Sequence, residues 1–182
     1  MSADMIIRSC APTLAGLKAG NLFSCRNTEE DEIKPFMEHM NSQLNRKGVY
    51  IVLMRYHQGS VLIYVYRKKH LETILADEEV RDFLRNFGYE DFRIGPCLDM
   101  LRRRLSDRDF PHEIGVFLDY PLDDIRAFIR NKGDNYLCAG YWKAYYNAEE
   151  AVKKFAAFRK CTRIYCQSFF EGADIMKLTV AG

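Results

Sequence analysis

Apolar positions in this chain recur at two spacings, and the changes from one spacing to the other divide it into elements. After a short irregular start, Asn21 to Cys25 reads as a small strand. Asn27 or Thr28 then offers an N-cap with acidic residues behind it. Ile33, Phe36, Met37, Met40 and Leu44 share one face of a helix running to about Arg46, in which Pro35 either sits near the true start or makes a kink, and Gly48 is its stop. Val49 to Tyr56 and Ser60 to Arg67 are dense in Val, Ile, Leu and Tyr and flank the turn His57-Gln58-Gly59, which is the pattern of a β-hairpin. Tyr50 to Met54 is apolar without interruption, so that strand is expected to be covered on both faces and central in its sheet.

Three helical segments follow: Lys69 to Leu75, Glu78 to Phe87 with Val80, Phe83, Leu84 and Phe87 on one face, and Pro96 to Leu105 with Leu98, Leu101 and Leu105. Gly88 and Pro96 punctuate them. His112 to Leu118 reads as a strand, and Pro121 to Asn131 as a helix that turns Leu122, Ile125, Phe128 and Ile129 inward and stops at Gly133. Tyr141 to Tyr146 is a further strand candidate. Asn147-Ala148-Glu149-Glu150 has the capping-box spacing that opens the longest helix, closed by Gly172 before a last apolar segment, Ile175 to Val180. The pattern predicts one α+β domain over residues 1–182, with a mixed, largely antiparallel sheet of about four to six strands built on a central β-hairpin and flanked by helices.

Composition narrows the function classes. The 182 residues carry 27 basic and 25 acidic side chains, a net charge of +2 that offers no global field for a polyanion, so nucleic acid is not an expected partner. The local run Arg102, Arg103, Arg104 and Arg108 points in several directions on a helix and reads as a solvated face. Six scattered cysteines without a secretory signal fit reduced thiols in the cytoplasm, and no apolar stretch approaches the length of a membrane span. There is no Cys-x-x-Cys, His-x-x-x-His or Glu-x-x-His pair for a metal, and no Gly-rich loop for a dinucleotide or a triphosphate, so the expectation is no metal and no identifiable cofactor.

Three segments carry a resemblance: Cys10-Ala-Pro-Thr-Leu-Ala-Gly-Leu-Lys18, Pro111-His-Glu-Ile-Gly-Val-Phe-Leu-Asp-Tyr-Pro121 and Gly140-Tyr-Trp-Lys143. Together they resemble the bacterial domain-of-unknown-function family DUF3793, found largely in anaerobic Firmicutes, along nearly the whole chain. The family pattern usually has Gly where this chain has Asp119 and Val where it has Ala144. The resemblance supplies no activity, but it implies that the three segments converge on one site.

Two kinds of site compete. A thiol-dependent enzyme would pair Cys10 as nucleophile with His112 as base, the thiol favoured by the N-terminus of a short helix after it. His112-Glu-Ile-Gly-Val-Phe-Leu also looks superficially like the His-bearing strand of bacterial cell-wall cysteine peptidases, without their Asp-Cys-Ser-Gly helix start. The leading expectation is instead a non-enzymatic cytoplasmic protein binding a small ligand or a partner through Lys18, Glu113, Tyr120, Tyr141, Trp142 and Lys143. The ligand and any physiological partner are not identifiable from these residues. A homodimer formed through an exposed aromatic strand is a third expectation, and Asp119, Asp123 and Asp124 are expected to serve the start of the helix at Pro121.

Overall fold

The computed structural model describes residues 2–26, 30–107 and 110–182, so the N-cap expected at Asn27 or Thr28 and the last arginine of the basic run lie outside the described residues. In chain order the elements are α1 (Ala3–Leu14), β1 (Gly20–Cys25), α2 (Glu30–Leu44), β2 (Val49–His57), β3 (Ser60–Arg67), α3 (Lys68–Ala76), α4 (Glu78–Arg85), α5 (Ile94–Leu105), α6 (Ile114–Phe117), α7 (Leu122–Arg130), β4 (Cys138–Ala139), β5 (Lys143–Ala144), α8 (Ala148–Phe170) and α9 (Ile175–Leu178). The fold is α+β. Among the described residues no helix is long and apolar enough to cross a membrane.

The hairpin forms where the pattern places it. His57 lies opposite Ser60, and Gln58 (φ 47°) and Gly59 (φ 72°) both occupy the left-handed region that a tight two-residue turn requires. β1 then pairs antiparallel with the other side of β3, giving the order β1–β3–β2. The central strand is therefore β3 and not β2, which corrects the expectation drawn from Tyr50 to Met54. Val61, Ile63 and Val65 of β3 enter the layer formed with α1 and α2, while Tyr64 and Tyr66 enter the layer formed with α3 to α7. Burying each such aliphatic side chain contributes about 1.5–3 kcal/mol.

β2 reads as a central strand because α2 and α5 cover its two faces, although it lies at the sheet edge. Side chains occupy that edge. Asn41 Nδ2 donates to Ile51 O and Asn41 Oδ1 accepts the Ile51 N–H, both at 2.8 Å, while Arg102 Nε donates to Leu53 O at 2.9 Å. These bonds satisfy backbone groups that an edge strand otherwise leaves open.

Among the described residues the sheet has three strands, fewer than the four to six expected, and β4 and β5 form a separate two-stranded ladder. Residues 112–118 are not a strand. Ile114, Gly115 and Val116 donate to the carbonyls of Pro111, His112 and Glu113, so the segment winds into the short helix α6. All four residues of α6 are buried, and burial on every side erases the periodicity that separates a strand from a helix. Of Tyr141 to Tyr146, only Lys143 and Ala144 pair, with Ala139 and Cys138.

The start of the chain is helical rather than irregular. Ile6, Ile7, Cys10, Ala11 and Leu14 of α1 are buried at helical spacing, and Pro12 is tolerated in the last turn. Gly16 (φ 77°) closes α1: its N–H bonds to Thr13 O at 3.1 Å, and the Leu17 N–H bonds to Pro12 O at 2.9 Å. Arg67 gathers the remaining carbonyls, with Nε on Thr13 O at 2.6 Å and Nη2 on Leu14 O and Val180 O at 2.7 and 2.6 Å. A cation at the negative end of the helix dipole is favourable. At the start of α8, Asn147 Oδ1 accepts the Glu150 N–H at 3.2 Å and Asn147 Nδ2 reaches Glu150 Oε2 at 3.0 Å, the cap anticipated from the spacing. The N-terminal half of α8 supports the β4–β5 hairpin through Ala151, Phe155 and Phe158, and its C-terminal half packs on α1.

Candidate functional site

The site begins where α6 ends. Asp119 has φ 59°, a left-handed conformation that a short polar side chain tolerates and glycine prefers. Its Oδ2 accepts the Ala19 N–H at 2.9 Å, tying this reversal to the start of β1. A Cβ at Gly20 would lie 2.7 Å from Phe117 O and 2.4 Å from the Tyr64 hydroxyl, so only glycine lets β1 approach this closely. The Tyr64 hydroxyl itself donates to Phe117 O at 2.5 Å.

Lys18 stands immediately before this contact and is only 2% exposed. Its Nζ lies 4.9 Å from the centre of the Tyr120 ring and 5.9 Å from that of Tyr141, and it has no hydrogen bond or ion pair among the described residues. Desolvation pulls its pKa from 10.5 down to about 8, opposed by the fields of Asp119 and Cys10. Around this one ammonium the segments 10–18, 111–121 and 140–143 meet.

The β4–β5 hairpin is fixed from both sides. A Cβ on Gly140 would come within 2.3 Å of Phe155, so the hairpin lies flat on α8 only with glycine there. The Trp142 indole meets Phe155 edge-on at 4.5 Å and Tyr120 at 5.4 Å. Its Nε1 donates to Asp124 Oδ2 at 2.8 Å, and Asp124 Oδ1 accepts the Tyr145 N–H at 2.8 Å. Asp123 and Asp124 stand in the first turn of α7, where their charge serves the helix start as expected, while Asp119 lies outside the helix. α7 begins at Pro121 without a side-chain cap, Asp124 clasps the hairpin, Asp119 holds β1, and Asp123 pairs with Arg126 at 3.6 Å.

Between α6, α7 and the hairpin lies a cavity of about 400 Å³, ringed by Phe110, His112, Tyr120, Phe128, Tyr141 and Trp142. Lys143 also lines it; its Nζ donates to Gly133 O at 2.7 Å and lies 5.8 Å from the Phe128 ring centre and 4.7 Å from that of Tyr136. The exposed His112 ring stands edge-on to Phe128 at 5.0 Å and makes no hydrogen bond among the described residues. Burial pushes the Tyr120 hydroxyl up to about 12, so it remains a neutral donor or acceptor.

Three of the residues singled out from the sequence lie off the cavity wall: Lys18, described above, Cys10 and Glu113. Cys10 is fully buried in the layer with α1 and α2, whereas α6, which follows His112, packs in the opposite layer, and no hydrogen bond joins the two side chains. Cys10 sits near the C-terminal end of α1, not before a helix N-terminus, and burial pushes its thiol up. Glu113 is fully buried but faces α5: it pairs with Arg104 through Nε and, at 3.3 Å, through Nη2, and accepts the Tyr89 hydroxyl at 3.5 Å. That pair raises the Arg104 pKa, and Glu113 is no part of the cavity wall. Among the described residues no group of three or more His, Cys, Asp or Glu is placed to hold a metal ion.

Phe128, expected to turn into the core, lines the cavity instead, and Asp124, expected only at the helix start, also binds Trp142 and Tyr145. The inward helical spacing of Phe128 was visible, but no spacing links Asp124 to Trp142 across the loop between them. No curated protein and no solved structure matches this chain. The family model described as Protein of unknown function (DUF3793) matches residues 6–179, which include every element that builds the cavity, and the chain therefore belongs to that family.

Proposed function

We propose that this protein binds a small, planar, largely apolar ligand in the cavity between α6, α7 and the β4–β5 hairpin. The observation that carries the reading is a half-open cavity of about 400 Å³ lined by six aromatic rings, a volume within the range of small-molecule sites. Aromatic faces stack on flat ligands with little loss of side-chain freedom, because Trp142 and Tyr120 are already held in place. The burial of Cys10 as a high-pKa thiol supports this reading over a thiol-dependent enzyme. A cytoplasmic location belongs to the same proposal, supported by the burial of Cys10, Cys97 and Cys161 as separate thiols.

Trp142 is the only tryptophan of the chain and lies in the cavity wall, so its fluorescence reports on this site alone. Titration with 2-naphthamide, a neutral planar probe, is expected to quench that emission saturably, and filling the cavity with Leu118→Phe is expected to weaken the effect. A wild-type signal that never saturates, or one that Leu118→Phe leaves unchanged, refutes the proposal.

A further inference from the structure

His112 and Lys143 both line the cavity and both lie against the Phe128 ring, at 5.0 and 5.8 Å from its centre. Lys143 Nζ uses one of its three donor positions, on Gly133 O, and two aromatic faces hold the ammonium in place. The His112 ring keeps both nitrogens available. Neither residue has a carboxylate partner among the described residues. Asp124 is the carboxylate of the wall, and its two oxygens are engaged by Trp142 Nε1 and the Tyr145 N–H. His112 and Lys143 therefore present donors and positive charge to the cavity, with no carboxylate of the described wall paired to them.

We propose that the ligand is a planar aromatic carboxylate, its ring among Tyr120, Tyr141 and Trp142 and its anionic group held by Lys143 Nζ and the His112 ring. This rests on the cavity being the binding site and adds the ligand's charge and orientation. An ammonium restrained by Tyr136 and Phe128 loses little freedom on pairing, and a hydrogen bond to a charged group in a low-dielectric wall is stronger than one in water. The hidden ammonium of Lys18 lies beyond the Tyr120 and Tyr141 rings and is not part of the wall, so it does not contact the anion.

Paired titrations of 2-naphthoate and its neutral near-isostere 2-naphthamide, followed by calorimetry at neutral pH, test the assignment. The wild-type protein is expected to prefer the carboxylate by about tenfold. Lys143→Met is expected to abolish the preference, and His112→Phe to reduce it in part. Equal affinity for the two probes in the wild-type protein overturns the anion inference and leaves the cavity reading standing; that comparison needs no variant. A preference that survives Lys143→Met but is lost in Lys18→Met overturns the assignment of the anion to Lys143. If neither probe binds, both this inference and the cavity proposal fail.

Discussion

Replacing Lys18 with methionine is expected to make the protein more stable at neutral pH, although it removes a fully packed side chain. The Lys18 ammonium is buried against Tyr120 and Tyr141 with no counter-ion in contact, and its pKa falls from 10.5 to about 8, which corresponds to about 3 kcal/mol against the charged form. Two cation–π contacts, lost in the variant, return about 1–2 kcal/mol of that, so Lys18→Met is expected to gain about 1–2 kcal/mol. Methionine fills similar space with an apolar, adaptable chain. The pH dependence gives the sharper test. Between about 8 and 10.5 the unfolded chain holds a proton on Lys18 that the folded chain has released, so this group makes wild-type stability rise with pH across that window and leaves it constant below. Urea denaturation of both proteins at several pH values yields the difference directly, and the other thiols and tyrosines largely cancel in it. The advantage of the variant should be greatest below about pH 8 and shrink toward about pH 10.5. A variant that is less stable at neutral pH, with a difference that stays flat through this window, would show that the ammonium is well solvated and would refute the reasoning.

Further outcomes follow from the same contacts. Gly140→Ala drives a methyl into Phe155 and should cost about 1–3 kcal/mol in urea denaturation; an unchanged midpoint would mean that the hairpin does not rest on α8 as described. Asp124→Ala leaves Trp142 Nε1 and the Tyr145 N–H without acceptors, with an expected loss of about 2–3 kcal/mol and a red shift of the single-tryptophan emission as the indole reaches water. Iodoacetamide followed by peptide mass mapping should label the partly exposed Cys138 and Cys166 well before Cys10, and early labelling of Cys10 would revive a nucleophilic role for it.

Where local chemistry alone decides, the sequence is readable. The Asn147 cap with Glu150, the Gln58-Gly59 turn and the amphipathic face of α5 depend on neighbours a few residues away and are found as their patterns suggest, whereas on α7 only Ile125 of the four expected inward residues is fully buried. The misreadings fall where tertiary burial sets the pattern. α6 is apolar on every side because the chain folds around it, and β2 imitates a central strand because two helices cover it. Pro12 masks the helical spacing of Ile6, Cys10 and Leu14; it removes one N–H bond, the one to the Arg8 carbonyl, without ending the helix before Leu14. His112, Tyr120, Tyr141, Trp142 and Lys143 were singled out from the sequence and line one cavity, but their grouping depends on Asp119, Asp124 and Gly140, whose contacts are long-range. Cys10 and Glu113 could be set apart only by knowing which layer each entered.

The Asn41 side chain pairs with Ile51 through one donor and one acceptor, the same two groups in the same arrangement that a neighbouring peptide unit would present. The amide is thus a surrogate for a fourth strand, one residue long and carried on a helix. A sheet finished in this way cannot recruit a strand from another molecule at that position without first displacing Asn41. Mutational drift at residue 41 therefore bears on how safely this chain can be crowded at high concentration, even though the residue lies on the opposite side of β2 from the cavity-bearing half of the molecule.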